Sequence, residues 1–197
     1  MKQDLRKEIV LREDVSAQLD RSVLIIKGPQ GEVRRDFHYP SISLSIVQGK
    51  IEGKAGGENG GKTGKKIIVT AEKASKKEKT IVGTFTAHIR NLVNGVQQQH
   101  VYKLKICSGH FPMTVTVAGQ ELLIKNFLGE SVPRRISLEP GVSVKIQDKD
   151  IIVSSPDKEL AGKTAAGIEQ ACRITNRDRR IFMDGIWLTE KAGKAVS

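Results

Sequence analysis

Short apolar runs recur along this chain, each alternating with polar residues or continuous over a few positions, and bounded by glycine, proline, asparagine or aspartate. That pattern predicts strands. In the first half they fall at 8–12, 22–27, 42–47 and 67–70; in the second at 101–106, 114–117, 122–125, 136–138, 142–146 and 150–153. Gly28-Pro29-Gln30-Gly31 reads as a turn, with proline second and glycine fourth. One stretch per half has a helical period instead. At 100° per residue, Leu160, Thr164, Gly167, Ile168, Ala171 and Cys172 share a face, while Lys163, Glu169, Gln170 and Arg173 lie away from it. Asp157 stands where an N-cap belongs. Short strands joined by tight turns favour antiparallel pairing, and one helix per half cannot supply the crossovers of a parallel sheet.

The pattern also repeats. Ile67-Ile68-Val69 opens a stretch that, moved by 84 positions, falls on Ile151-Ile152-Val153. Lys79-Thr80 then meets Lys163-Thr164, Gly83 meets Gly167 and Ala87 meets Ala171. Upstream, Ile25-Ile26-Lys27 with the turn ending Gly31-Glu32 matches Leu123-Ile124-Lys125 with Gly129-Glu130, at an offset of 98. The expectation is a duplicated α+β protein of two small domains, residues 1–98 and 99–197. Each is a mainly antiparallel sheet with one main helix packed on one face. Gly83 and Gly167 are read as places where helix and sheet approach closely, since a mid-helix glycine costs about 1 kcal/mol against alanine.

Charge changes the picture from fold to partners. With Lys+Arg 33 against Asp+Glu 22 the net charge is +11, and the pI is near 9.7. Phosphate backbones and anionic membranes are the usual counterparts of such a surface. No apolar run approaches the roughly 20 residues that span a bilayer, and the N-terminus lacks the apolar core of a secretory signal. The two cysteines, Cys107 and Cys172, form no CxxC pair and are read as small core residues in a reducing compartment. The four histidines show no metal-ligand spacing, and neither GxSxG nor HExxH occurs. No cofactor, metal or small-molecule substrate is expected. Aromatic residues are only 4% of the chain, too few for a broad stacking platform.

One motif points to an enzyme. Residues 56–63, GGENGGKT, spell the phosphate loop of nucleotide hydrolases, G-x-x-x-x-G-K-[ST]. Such a loop works when a helix opens at its lysine and aims its N-terminus at the phosphates. Here a strand-like run, Lys65-Lys66-Ile67-Ile68-Val69-Thr70, follows instead. Of the 18 residues at 49–66, 7 are glycine and 5 lysine, so chance supplies the match. Lys27 to Ile67 spans 40 positions and Lys125 to Ile151 spans 26, so the first half is longer by 40 − 26 = 14. The Gly/Lys stretch supplies that excess as an extended hairpin loop. Its lysines, Lys62, Lys65 and Lys66 among them, are secondary candidates for phosphate contact. A nucleotide hydrolase and a basic scaffold for an acidic protein are the alternatives to nucleic-acid binding.

The C-terminal segment RITNRDRRIFMDGIWL places Arg173, Arg177, Arg179 and Arg180 within eight residues, and Arg134-Arg135 follows Pro133 in a turn. Arginine forks match phosphate geometry and stack on bases. Phe182, Ile186 and Trp187 are read as packing this tail onto its domain.

At these residues the chain resembles the large-subunit ribosomal protein six family in its archaeal and eukaryotic form. The resemblance rests on KGPQGE at 27–32, SGHFPM at 108–113, KNFLGE at 125–130 with Pro133-Arg134-Arg135, and 162–188, which holds GKTAAGIEQACRI and RDRRIFMDGIW. Three positions depart from the family's habit: Lys163 for glutamine, Gly167 for asparagine and Trp187 for tyrosine. The resemblance implies two duplicated α+β domains, no catalysis and a cytoplasmic place in the ribosome. It also implies binding to large-subunit ribosomal RNA, chiefly by the C-terminal domain, near the sarcin–ricin loop and the stalk base, beside neighbouring ribosomal proteins. Carried over by position, the RNA-facing residues are Lys125, Asn126, Arg134, Arg135, Lys163, Arg173, Arg177, Arg179 and Arg180.

Overall fold

The structure is a computed structural model that describes residues 3–50, 63–178 and 180–196. It divides into two compact units, Met1–Gln98 and Gln99–Ser197. The first contains β1 (Gln3–Val10), β2 (Ser16–Asp20), β3 (Val23–Gly28), β4 (Gly31–Asp36), β5 (Ser43–Lys50), β6 (Thr63–Ala74) and helix α1 (Lys76–Gln97). They form two antiparallel three-stranded sheets, ordered β1-β6-β5 and β2-β3-β4. Alternation selects the core face: Leu24 and Ile26 of β3 and Ile67 and Val69 of β6 are fully buried against Ile89 and Val96 of α1. The helix starts with a capping box, in which Glu78 accepts from the Ser75 N–H at 2.8 Å and the Ser75 hydroxyl accepts from Lys77 N–H.

The second unit contains β7 (His100–Cys107), β8 (Thr114–Ala118), β9 (Glu121–Lys125), a 3-10 turn (Phe127–Gly129), β10 (Arg134–Ser137), β11 (Ser143–Gln147), β12 (Asp150–Ser155), α2 (Lys158–Ala171), β13 (Gly185–Lys191) and β14 (Lys194–Ala195). Its sheets run β11-β12-β7-β13-β14 and β10-β9-β8. The first unit's β5-β6-β1 therefore recurs as β11-β12-β7, and β2-β3-β4 recurs as β8-β9-β10. Leu122, Ile124, Ile151 and Val153 are fully buried, as are their counterparts Leu24, Ile26, Ile67 and Val69. The fold is α+β, with duplicated sheet units.

The hairpins carry the difference in length. Leu44 pairs with Val69 and Val144 with Val153, spans of 25 and 9, so the β5–β6 hairpin is longer by 16. The 3-10 turn helps to offset this in the second unit. Lys50 pairs with Thr63 at the end of the β5–β6 ladder, so the Thr63 of GGENGGKT stands in a strand and no helix opens beside it. Residues 56–62 of that string lie outside the described residues.

The helices follow a different offset from the strands. The N-caps are Ser75 and Asp157, 82 positions apart. An offset of 82 brings Val82 onto Thr164 and Thr86 onto Ile168, all buried. The offset of 84 that fits the strands puts exposed positions over buried ones, because β6 runs on to Ala74 past a positive-φ Lys73. Gly83 and Gly167 are thus two residues out of phase. The close approach expected there is absent too, since a Cβ at either would meet nothing within 4 Å. The most crowded of the described glycines are Gly28, where a Cβ would lie 2.8 Å from the Val96 carbonyl oxygen, and Gly162, against the Tyr102 hydroxyl at 3.1 Å. The Gly28 contact lets the Gln30 N–H reach that same Val96 carbonyl at 2.9 Å, which ties the β3–β4 turn to the end of α1.

Candidate nucleic-acid interface

Most of the candidate cations of the second unit lie on two elements. The first is the small sheet. In β9 and β10, Ile124 and Leu122 face the core, so Leu123, Lys125 and the Leu123 partner Arg135 share the opposite face. Lys125 and Arg135 are exposed and form no ion pair among the described residues.

The second element is the segment after α2. The helix stops at Cys172, which is buried and whose thiol is pushed up to about 11 by that burial. The chain then runs through Arg173, Arg177 and Arg180, all exposed, before entering β13. The Arg177 guanidinium stacks over the Phe182 ring at 5.0 Å. Arg180 pairs with Asp178 at 2.8 Å, and this partner holds the Asp178 carboxyl below its usual range. Arg179 lies outside the described residues.

Arg134 belongs to neither surface. Its fork grips Glu130, with Nε donating at 2.8 Å, and Nη1 donates to the Ala171 carbonyl at 2.6 Å and to that of Arg173 at 3.4 Å. The guanidinium also lies 4.2 Å from the centroid of Phe127. Hydrogen bonding from Arg134 lowers the Glu130 pKa. Arg134, a candidate RNA contact, fastens β10 and the 3-10 turn to the end of α2 and satisfies the Ala171 carbonyl that the helix leaves open. Asn126 is similarly occupied. It takes a left-handed conformation (φ 60°) and donates its side-chain amide to the Pro112 carbonyl at 3.0 Å. Lys163 pairs with Glu139 on α2's solvent side. In the first unit Lys65 is exposed and Lys66 reaches Glu8 at 3.4 Å; Lys62 is outside the described residues.

A buried carboxylate organises the segment further. Asp184, only 3% exposed, accepts from the Gly109 N–H, from the His110 N–H at 3.2 Å and faces His110 Nδ1 at 3.4 Å. The SGHFPM and DGIW strings, separated by more than 70 positions, are thereby joined. Beside this junction opens a cleft of about 970 Å³, lined by Cys107, Ile174, Phe182, Met183, Ile186 and Trp187 among others. Ile186 and Phe182 pack inward as expected. Trp187 does not: it is 46% exposed, as is 65% of Met183. Strand alternation around buried Ile186 was the signal that could have placed the indole outside. Cys107 lines this cleft and is half-buried rather than a core residue.

No group of three His, Cys, Asp or Glu among the described residues could hold a metal, and no described helix is long and apolar enough to cross a membrane. Fold and charge together define a basic protein built on a duplicated α+β unit.

The family described as Ribosomal protein L6 matches residues 111–185, most of the second unit. The large ribosomal subunit protein uL6 of Nanoarchaeum equitans (strain Kin4-M) is 40% identical over 200 residues, covering 98% of this chain and 96% of its own. That of Methanococcus vannielii is 38% identical over 192 residues, covering 98% and 97%. The chain belongs to the uL6 family of large ribosomal subunit proteins. It is accordingly a ribosomal protein of the cytoplasm and not an enzyme, and the phosphate-loop reading of GGENGGKT falls.

Proposed function

We propose that the protein binds large-subunit ribosomal RNA, chiefly through its C-terminal unit, near the sarcin–ricin loop and the stalk base, in contact with neighbouring ribosomal proteins there. The observation that supports this is a group of four exposed cations of that unit that form no ion pair among the described residues: Lys125 and Arg135 on the outer face of the small sheet, and Arg173 and Arg177 in the segment after α2. Arg180 and Lys163 join them by exchanging Asp178 and Glu139 for phosphate. Arg134 and Asn126 act underneath, holding the supporting turn. Arg179 and, more weakly, Lys62, Lys65 and Lys66 extend the basic surface.

The mechanism is a clamp. RNA helices that converge repel one another through their phosphates, and fixed guanidinium and ammonium groups placed between them offset that repulsion. Recognition rests on RNA shape and the 2′-hydroxyl, because the A-form major groove is too deep and narrow for side chains. Each neutralised phosphate contributes about −0.7 to −0.9 to the slope of log affinity against log salt. Neutralising Arg135 and Arg173 together as glutamines is expected to flatten that slope by about 1.5 and weaken chemical protection of the sarcin–ricin region. Wild-type slope and protection in the double variant would remove the assignment.

A further inference from the structure

We propose that the cleft beside Trp187 receives an unstacked nucleobase of the bound RNA; the proposal rests on the RNA-binding reading above and adds a contact that the cations alone do not supply. The indole is seated for this. Its ring lies over Gly185, where a Cβ would come within 3.3 Å of Cε2 and Nε1, and its N–H donates to the Met183 carbonyl at 3.3 Å. One side of the ring is thus fixed against backbone while 46% of the residue stays open to solvent. Ile181 and Met183, 60% and 65% exposed, stand beside it. A volume of about 970 Å³ accommodates a base with its sugar.

Charge decides the class of occupant. The acids of the lining are turned to internal partners: Asp184 is buried under the Gly109 and His110 N–H groups, and Glu169 accepts from the Leu188 N–H at 3.1 Å. Among the described residues two exposed guanidinium groups stand at the mouth: Arg173, which lines the cleft, and Arg177, which stacks on the Phe182 of its wall. An apolar slot with an aromatic face and guanidinium groups at its rim fits a planar base attached to a phosphate. An apolar side chain of a partner protein would leave the guanidinium groups unanswered. Base–aromatic stacking tolerates any base, so the slot selects an unpaired position and not a sequence.

Trp187 is the only tryptophan in the chain and reports on its own site. The full-length protein is titrated with protein-free cognate large-subunit RNA, with tryptophan emission and filter retention followed in parallel, for wild type and Trp187→Leu. The expected result is quenching that saturates with binding, and about tenfold weaker affinity in Trp187→Leu with the salt slope unchanged. RNA retained with emission unaltered and Trp187→Leu equal to wild type would overturn base insertion while leaving the cationic clamp intact. Quenching that appears only on adding other large-subunit proteins would assign the cleft to a protein and overturn it equally. Absence of retention would overturn the clamp and the insertion together.

Discussion

The two units differ most at one edge. In the first, β1 pairs with β6 on one side, and no strand runs along its other side among the described residues. Asp4, Arg6, Lys7 and Glu8 crowd this short stretch, and charge on an open edge discourages pairing with another chain. In the second, the equivalent β7 reads HVYKLKIC and is covered by β13. The added strand has to be reached from the end of α2, and the segment that reaches it, residues 173–184, carries the arginines and one wall of the cleft. One copy of a duplicated fold has thus acquired a surface that the other lacks: closing an edge creates a connection, and the connection holds the candidate cations. The added strand's own edge is guarded in turn, since Glu169 of α2 accepts from the Leu188 N–H of β13.

That contrast can be broken most severely at Asp184. In Asp184→Ala the Gly109 and His110 N–H groups lose their acceptor, at an expected loss of about 2–4 kcal/mol. The loss falls on the second unit alone. Trp187 emission reports that unit selectively, so its denaturation midpoint should drop while the far-ultraviolet signal keeps a first-unit transition near the wild-type midpoint.

The first unit has its own weak point. Gly28→Ala drives a methyl group against the Val96 carbonyl, which is backbone and cannot swing aside, and about 1–3 kcal/mol of destabilisation is expected in urea unfolding. Gly162→Ala meets only the tip of Tyr102 in the second unit, and its cost should be smaller.

These sites also show what was legible in the sequence. Strands such as those carrying Leu24 and Ile26 or Ile151 and Val153 are visible because burial demands the residues that mark them. β2 (SAQLD) and β4 (GEVRRD) are not visible, because each has little apolar pattern and is held by pairing Ala17 and Val33 with Ile26. The duplication was readable in strands yet slipped by two residues in the helices, because glycine and lysine recur on solvent faces without constraint. Among the candidate site residues, charge identified Arg135 and Arg173 as surface cations. It could not separate them from Arg134, whose partner carbonyls on Ala171 and Arg173 lie nearly forty positions away. A long-range hydrogen bond leaves no local pattern.

Acid should affect the second unit more gently. Glu130 is lowered by its hydrogen bonds from Arg134, so its ion pair stabilises the second unit at neutral pH and above. That contribution is lost as pH falls below the ordinary glutamate value and through the lowered one. Glu130→Gln should shallow the acid limb of the second unit's stability profile, by less than about 1 kcal/mol for so exposed a pair. The smallest effect is expected at Gly83→Ala. An exposed helix position with nothing near its missing Cβ should gain about 0.5–1 kcal/mol, raising the first unit's midpoint slightly and leaving Trp187 silent.

The closing of the β5–β6 ladder at Lys50 and Thr63 has a practical meaning. A hairpin can be lengthened at its tip while the register beneath is untouched, and loop-closure entropy grows only as the logarithm of the added length. A change of chain length between residues 50 and 63 therefore leaves the register from Lys50 and Thr63 inward unaltered. An insertion there leaves the sequence of both cores and of every paired strand position unchanged.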